Sequence, residues 1–283
     1  MKKEELMPLL DEWILEQKYQ EYADSTLQRY KANVLKFINW LPEGEPITKE
    51  TMLNYKTFLG ESAGKSSSIN TWIVELNKFL KWTDNKELVL KKIKMQKKQS
   101  VEDVLTLSDY KRLLVFAKRM NMNQIYLIMK ILAMTGIRVS ELSFFKVENL
   151  NSNYISVFNK GKERKIIVRQ DLMREIKRYC KENHIKSGYV FESKIIQGKM
   201  VNCSTIWRQM KKVAGKASVK KIKVHAHSFR HLFAQVFLNT YPDSITELAD
   251  LLGHSSLETT RIYTRTSDIQ KRQKLEKMDF VKG

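Results

Sequence analysis

Residues 154–168 read Tyr154-Ile-Ser-Val-Phe158, then Asn159-Lys160-Gly161-Lys162-Glu163, then Arg164-Lys-Ile-Ile-Val168. Both flanking runs alternate along the chain, and Lys160-Gly161-Lys162 supplies a turn between them, so the stretch predicts a β-hairpin with a basic tip. A shorter run, Gly188-Tyr-Val-Phe191, is a candidate third strand. Outward from the hairpin the period changes to 3.6. Leu107-Ser108-Asp109 opens a helical series over Tyr110–Met120 and Asn123–Met134, and helices resume at Asp171–Asn183 and Ser204–Gly215. A polar, helix-competent tail runs from about residue 266.

The first 95 residues carry no strand pattern. Leu27, Tyr30, Val34, Phe37, Ile38 and Leu41 form one helical stripe, with Ser25 or Thr26 placed to cap it and Pro42 discouraging its continuation. Thr48 and Glu50 start a second helix through Tyr55 and Leu59; Gly60 to Ser68 reads as a small-residue loop. Ile69, Trp72, Ile73, Leu76, Phe79 and Leu80 make the next stripe. Apolar residues at this spacing are core, which leaves the opposite, Lys-bearing faces for a partner. The basic stretch Lys91–Gln99 reads either as a linker lying along phosphates or as a solvated loop. The expected fold is mainly α with a small β-sheet. A helical domain covers 1–95, a linker about 91–104, and a mixed α/β domain 105–283.

Charge is unevenly spread. Residues 1–100 hold 17 basic and 14 acidic side chains, a net of +3; residues 101–283 hold 34 and 17, a net of +17. A surplus that localised points to a polyanionic partner, because each Lys or Arg on a phosphate releases condensed counterions. The best apolar run, Leu127–Met134, is interrupted by Lys130 and falls short of the roughly 18 residues a membrane helix needs. The opening Met-Lys-Lys-Glu-Glu-Leu lacks an apolar signal core, and Cys180 and Cys203 make no disulfide framework; a cytoplasmic setting is expected.

Four segments of the second domain stand out: Thr135-Gly-Ile-Arg138-Val-Ser-Glu141-Leu142, Asn159-Lys160-Gly-Lys-Glu-Arg164, His227-Ser-Phe-Arg230-His231, and Leu252-Gly-His254 leading on to Tyr263. In this order and spacing they resemble the tyrosine recombinase (phage integrase) family, and the compact two-domain length looks like its Xer-type members. The resemblance is close over the second half and only a matter of helical pattern over the first. It implies a helical core DNA-binding domain followed by a catalytic domain.

The chemistry such a family performs explains the residue types. Transesterification at a phosphodiester builds negative charge on the nonbridging oxygens, which calls for fixed cationic donors. Guanidiniums suit this better than ammoniums, since they donate two parallel bonds and stay charged. Arg138 and Arg230 occupy the family's two arginine positions. Arg138 follows Gly136 at an expected helix start, and Glu141, three residues on, is placed to pair with it. Tyr263, nine positions after His254, matches the nucleophile, and Ser255 with Glu258 forms a capping-box pattern before it. A phenol, with a pKa of about 10, leaves phosphate more readily than an alkyl hydroxyl does.

Lys160 matches the lysine that protonates the departing 5′ oxygen. The sequence departs from the family there, because Asn159 stands where glycine is common and Lys162 is a nearby competitor. By resemblance His227 hydrogen-bonds the phosphate and accepts the tyrosine proton, and His254 braces a nonbridging oxygen. His184, His225 and His231 read as structural hydrogen-bonders. Lys162, Arg164, Arg208, Lys211 and Lys212 are candidate phosphate contacts. No glycine-rich phosphate loop or carboxylate cluster appears, so neither ATP, another cofactor nor a metal is implied. The expected activity is site-specific recombination through a 3′-phosphotyrosyl link on double-stranded DNA, serving integration or excision of a mobile element or Xer-like resolution. The resemblance implies a homotetramer on paired DNA sites with the C-terminal tail exchanged. A non-cleaving architectural DNA-binding protein and a type IB topoisomerase are the alternatives.

Overall fold

The computed structural model describes residues 1–62, 66–94, 104–152, 154–159 and 162–253, together with Thr260 and Glu276. The chain divides into two compact units, Met1–Gln99 and Ser100–Gly283.

The first unit is four helices, α1 (Lys3–Tyr19), α2 (Asp24–Trp40), α3 (Lys49–Ser62) and α4 (Ser66–Trp82), followed by a 3-10 turn at Lys86–Leu88. The stripes on α2 and α4 are its core, and α1 adds Leu6, Leu10 and Trp13. Trp13 stacks on Tyr30 at 5.3 Å between ring centroids, and Phe37 meets Tyr55 edge-on at 4.9 Å. Two boundaries differ from expectation. Helix α2 starts at Asp24, ahead of Ser25 and Thr26, with Ala23 at the cap and no side-chain cap bond. Gly60–Ser62 continue α3 and Ser66–Ser68 begin α4, so these exposed residues extend helices whose buried faces lie elsewhere. The chain leaving the unit is pinned to α4. Asn77 exchanges two 2.8 Å bonds with the backbone of Leu90, and Asn70, two turns earlier on the same face, exchanges bonds of 3.0 and 2.8 Å with Ile93. The first part of the basic stretch is thus held on the helical unit through Ile93; residues 95–103 lie outside the described set.

The second unit is built round α6 (Asn123–Thr135), which is buried on nearly every side. Around it pack α5 (Leu107–Arg119), α7 (Gln170–Glu182), α8 (Cys203–Lys216) and α9 (Ala226–Thr240), with α10 (Ile245–Leu252) against α9. Lys130, the charge that interrupts the apolar run, bonds Glu175 on α7. Strands β1 (Tyr154–Asn159) and β2 (Lys162–Ile167) form the hairpin, antiparallel with Val157 opposite Arg164 and Asn159 opposite Lys162. Ile155, Val157, Ile166 and Val168 are buried while Phe158 and Ile167 are exposed, as a period of two requires. Gly188–Phe191 adds no third strand. Its backbone instead bonds the 145–147 segment, through Val147 N to Gly188 O at 2.9 Å and Val190 N to Phe145 O at 3.0 Å. Four apolar residues satisfied by an irregular neighbour look the same in sequence as a buried strand. Among the described residues no helix is long and apolar enough to cross a membrane.

Candidate active site

Helix α6 ends at Gly136, which sits in the left-handed region at φ +64 and donates its N–H to Leu132. Only glycine fits, because a Cβ there would lie 2.5 Å from Phe233 Cδ1 and 2.8 Å from Leu252 Cδ2. The turn delivers Arg138 to the N-cap of a 3-10 helix over Val139–Phe144. The expected helix start is therefore present, as a 3-10 rather than an α-helix. Glu141 Oε2 accepts from the Arg138 backbone at 2.8 Å, and Oε1 accepts from Arg138 Nη1 at 3.4 Å. The Glu141 side chain is 2% exposed whereas that of Arg138 is 42% exposed. A buried carboxylate thus orients a guanidinium whose remaining donors face solvent.

Arg230 is 1% exposed. Its Nη1 donates to Gly136 O and its Nη2 to Leu252 O, each at 2.7 Å. Both acceptors stand at helix C-terminal ends, where the dipole is negative and favours a cation. The two arginines are thereby coupled, since the carbonyl that holds Arg230 belongs to the turn that aims Arg138.

His227 lies three residues before Arg230 on α9 and reaches the surface. Partial desolvation against the helix start, then the charge of Arg230, with His225 and Arg138 adding, holds its pKa below the ordinary 6.5. His225 caps α9: its Nδ1 accepts from Ser228 N at 3.2 Å, which leaves Nε2–H to donate to Ser228 Oγ at 2.9 Å. His231 meets the His227 ring edge-on at 4.7 Å. Burial, then His227, His225 and Arg230, depress the His231 imidazole to about 4. His225 thus serves as a helix cap; among the described residues no group of His, Cys, Asp or Glu could hold a metal ion.

The candidate phosphate contacts divide. Arg208 on α8 is exposed and bonds Thr205 Oγ1 at 3.4 Å; Lys212 is also exposed. Lys211 folds back onto the carbonyl of Lys221 and lies over the Trp207 ring at 5.3 Å. Lys162 pairs in β2. Arg164 departs from expectation, because its side chain is only 18% exposed and turns inward. Its Nη2 donates to Glu141 Oε2 and its Nη1 to Leu251 O, both at 2.7 Å, and its Nε is buried with no partner among the described residues. Strand parity carried the signal: Arg164, Ile166 and Val168 share the inward face. Lys160, His254 and Tyr263 lie outside the described residues, although Gly253, which directly precedes His254, ends α10 at φ +63 against Arg164.

Residues 103–269 match the model of the phage integrase family. Tyrosine recombinase XerA of Pyrococcus furiosus is 30% identical over 266 residues, covering 92% of this chain and 90% of that protein. A lambda integrase dimer bound to a COC′ core site superposes with a TM-score of 0.74 at 18% identity, over 97% of this chain and 98% of that one. A lambda integrase tetramer bound to a Holliday junction gives 0.71 at 18% identity, over 89% and 77%. The chain belongs to the phage integrase family, the tyrosine recombinases, enzymes that break and rejoin DNA in site-specific recombination.

Proposed function

We propose that Arg138, Lys160, His227, Arg230, His254 and Tyr263 surround one scissile phosphate of double-stranded DNA. The phenol oxygen of Tyr263 attacks phosphorus and the bond to the 5′ oxygen breaks. His227 takes the phenolic proton, and Lys160 protonates the departing oxygen. The products are a 3′-phosphotyrosyl link and a free 5′-hydroxyl. Attack by a partner strand's hydroxyl reverses each transfer, so the ester's energy is kept and no ATP is spent. Arg138 and Arg230 stabilise the charge that grows on the nonbridging oxygens, with His254 bracing one of them.

The observation that carries this reading is the coupling of Arg138 to Arg230 through Gly136, with His227 one turn away. The depressed pKa of His227 keeps its imidazole neutral near pH 7, the form that can accept a proton. In sequence Lys160 falls between Asn159 and Lys162, the last paired residues of β1 and β2, and His254 directly follows Gly253.

The helical unit serves as a second DNA-binding domain. Its α2 and α4 carry Arg29, Lys36 and Lys78 at the border of the apolar stripes, where Arg29 pairs with Glu75, Lys36 lies over the Trp72 ring and Lys78 donates to the Tyr30 hydroxyl, and Lys92 follows in the pinned exit segment. Arg208 and Lys212 extend the phosphate track on the catalytic unit. The enzyme acts in the cytoplasm as a tetramer on two sites, with the tail after residue 266 exchanged between neighbours; lambda integrase assembled on a Holliday junction supports the tetramer. Mobile-element integration or excision and Xer-like resolution all use this chemistry.

A nicked duplex that traps the cleaved strand tests the reading. The parent protein forms a covalent adduct stable on denaturing gels, and Tyr263→Phe forms none. An adduct that survives in Tyr263→Phe overturns the assignment.

A further inference from the structure

We propose that Arg164 is a positioning residue, which fixes the Arg138 turn, the hairpin and the approach to His254 as one unit without touching DNA. The proposal rests on the phosphotyrosine chemistry set out above.

Three connections meet at this side chain. Through Nη2 it holds Glu141 Oε2 at 2.7 Å, on the carboxylate whose other oxygen orients Arg138. Through Nη1 it holds Leu251 O at 2.7 Å, in the last turn of α10. Its aliphatic stem closes on Gly253, where an added Cβ would lie 2.8 Å from Arg164 Cδ. The residue itself belongs to β2, opposite Val157, so the hairpin is fastened at the same point. A planar guanidinium reaches the two acceptors from two nitrogens held in a fixed fork, whereas an ammonium would have to approach both from a single nitrogen.

There is also an electrostatic reason for a second arginine. Glu141 alone would neutralise Arg138 and weaken its pull on phosphate. Sharing the carboxylate between two guanidiniums leaves the trio with one net positive charge, and only Arg138 presents it to solvent.

The test compares Arg164→Lys with the parent in single-turnover cleavage of the nicked duplex and in equilibrium binding of the same duplex. Cleavage should fall about a hundredfold, the scale of an ångström-sized misplacement. Duplex affinity should change by no more than about threefold, since many other phosphate contacts remain. A substrate with a neutral methylphosphonate at the scissile position supplies the mechanistic readout. The methyl replaces one anionic nonbridging oxygen, so the transition state carries less negative charge for Arg138 to stabilise, and the Arg164→Lys deficit should shrink about tenfold or more, in parallel with that of Arg138→Ala.

Equal deficits on both substrates, parental cleavage, or affinity lost in step with cleavage would each overturn the positioning role. Should Arg164→Lys fail to fold, Gly253→Ala presses a methyl against the same guanidinium and is judged by the same criteria. Tyr263→Phe run alongside separates the two ideas. If it still forms adduct, the phosphotyrosine reading fails; if it is inactive while Arg164→Lys cleaves normally, only the positioning role fails.

Discussion

Gly136→Ala tests the link between the fold and the paired arginines. Alanine must adopt φ +64, and its methyl would sit 2.5 Å from Phe233 Cδ1 and 2.8 Å from Leu252 Cδ2. The left-handed backbone costs about 1 kcal/mol and the overpacking about 1–3 kcal/mol, for a loss of about 2–4 kcal/mol. In a unit of this size that lowers the melting temperature by roughly 5–15 °C. Relief of the clash must also move the Gly136 carbonyl that accepts from Arg230, so cleavage by the folded fraction should slow about 10- to 100-fold. Gly60→Ala is the matched control. Gly60 is exposed within α3 and an added Cβ meets nothing within 4 Å, so the change should stabilise by about 0.5–1 kcal/mol. Calorimetry and single-turnover cleavage on both variants settle the matter. A Gly136→Ala protein that melts and cleaves like the parent refutes the coupling.

Further outcomes follow from the same geometry. Arg138→Ala should slow cleavage by about two orders of magnitude or more and weaken duplex binding far less, as fluorescence anisotropy would report; similar losses in both would make Arg138 an ordinary phosphate contact. Arg230→Ala is a poorer test of chemistry, because it strips two helix-end carbonyls of their donor and should lower the melting temperature as well. Lys160→Ala should regain cleavage on a 5′-phosphorothiolate, whose sulfur leaves without a proton; rescue of Lys162→Ala in its place would reassign the acid. Acid should destabilise the catalytic unit through His231. Folded His231 titrates near 4 against 6.5 for the ordinary side chain, so between these values the unfolded chain binds the extra proton and stability drops as pH falls. His231→Asn should flatten that slope in pH-dependent melts, and an unchanged slope would place the titration elsewhere.

Much of this organisation is readable in the residues, for reasons that differ by element. The hairpin follows from parity and its short turn, since Ile155, Val157, Ile166 and Val168 alternate onto one buried face. The long stripes of α2 and α4 are legible because their apolar faces persist over several turns. Helix ends are less so: α2 begins without a side-chain cap, and Gly60 stays helical because α3 runs past it. Gly188–Phe191 misleads because burial, not pairing, selects Val190 and Phe191. Arg138 and Glu141 are recognisable as a pair from their spacing, but the carbonyl grip on Arg230 joins residues 94 positions apart and has no local signature. Arg164 was the instructive departure. Its charge suggests DNA, while its place between Val157 and Ile166 on the inward face demands a buried partner, and burial wins.

The central claim is a covalent bond between one phenol and one phosphate. Protease digestion of the trapped protein–DNA adduct, followed by tandem mass spectrometry, measures it directly. The predicted result is a nucleotide 3′-phosphate carried on the Tyr263 side chain and on no other residue. A phosphate found on a different side chain, or joined through the 5′ end of the strand, would contradict it.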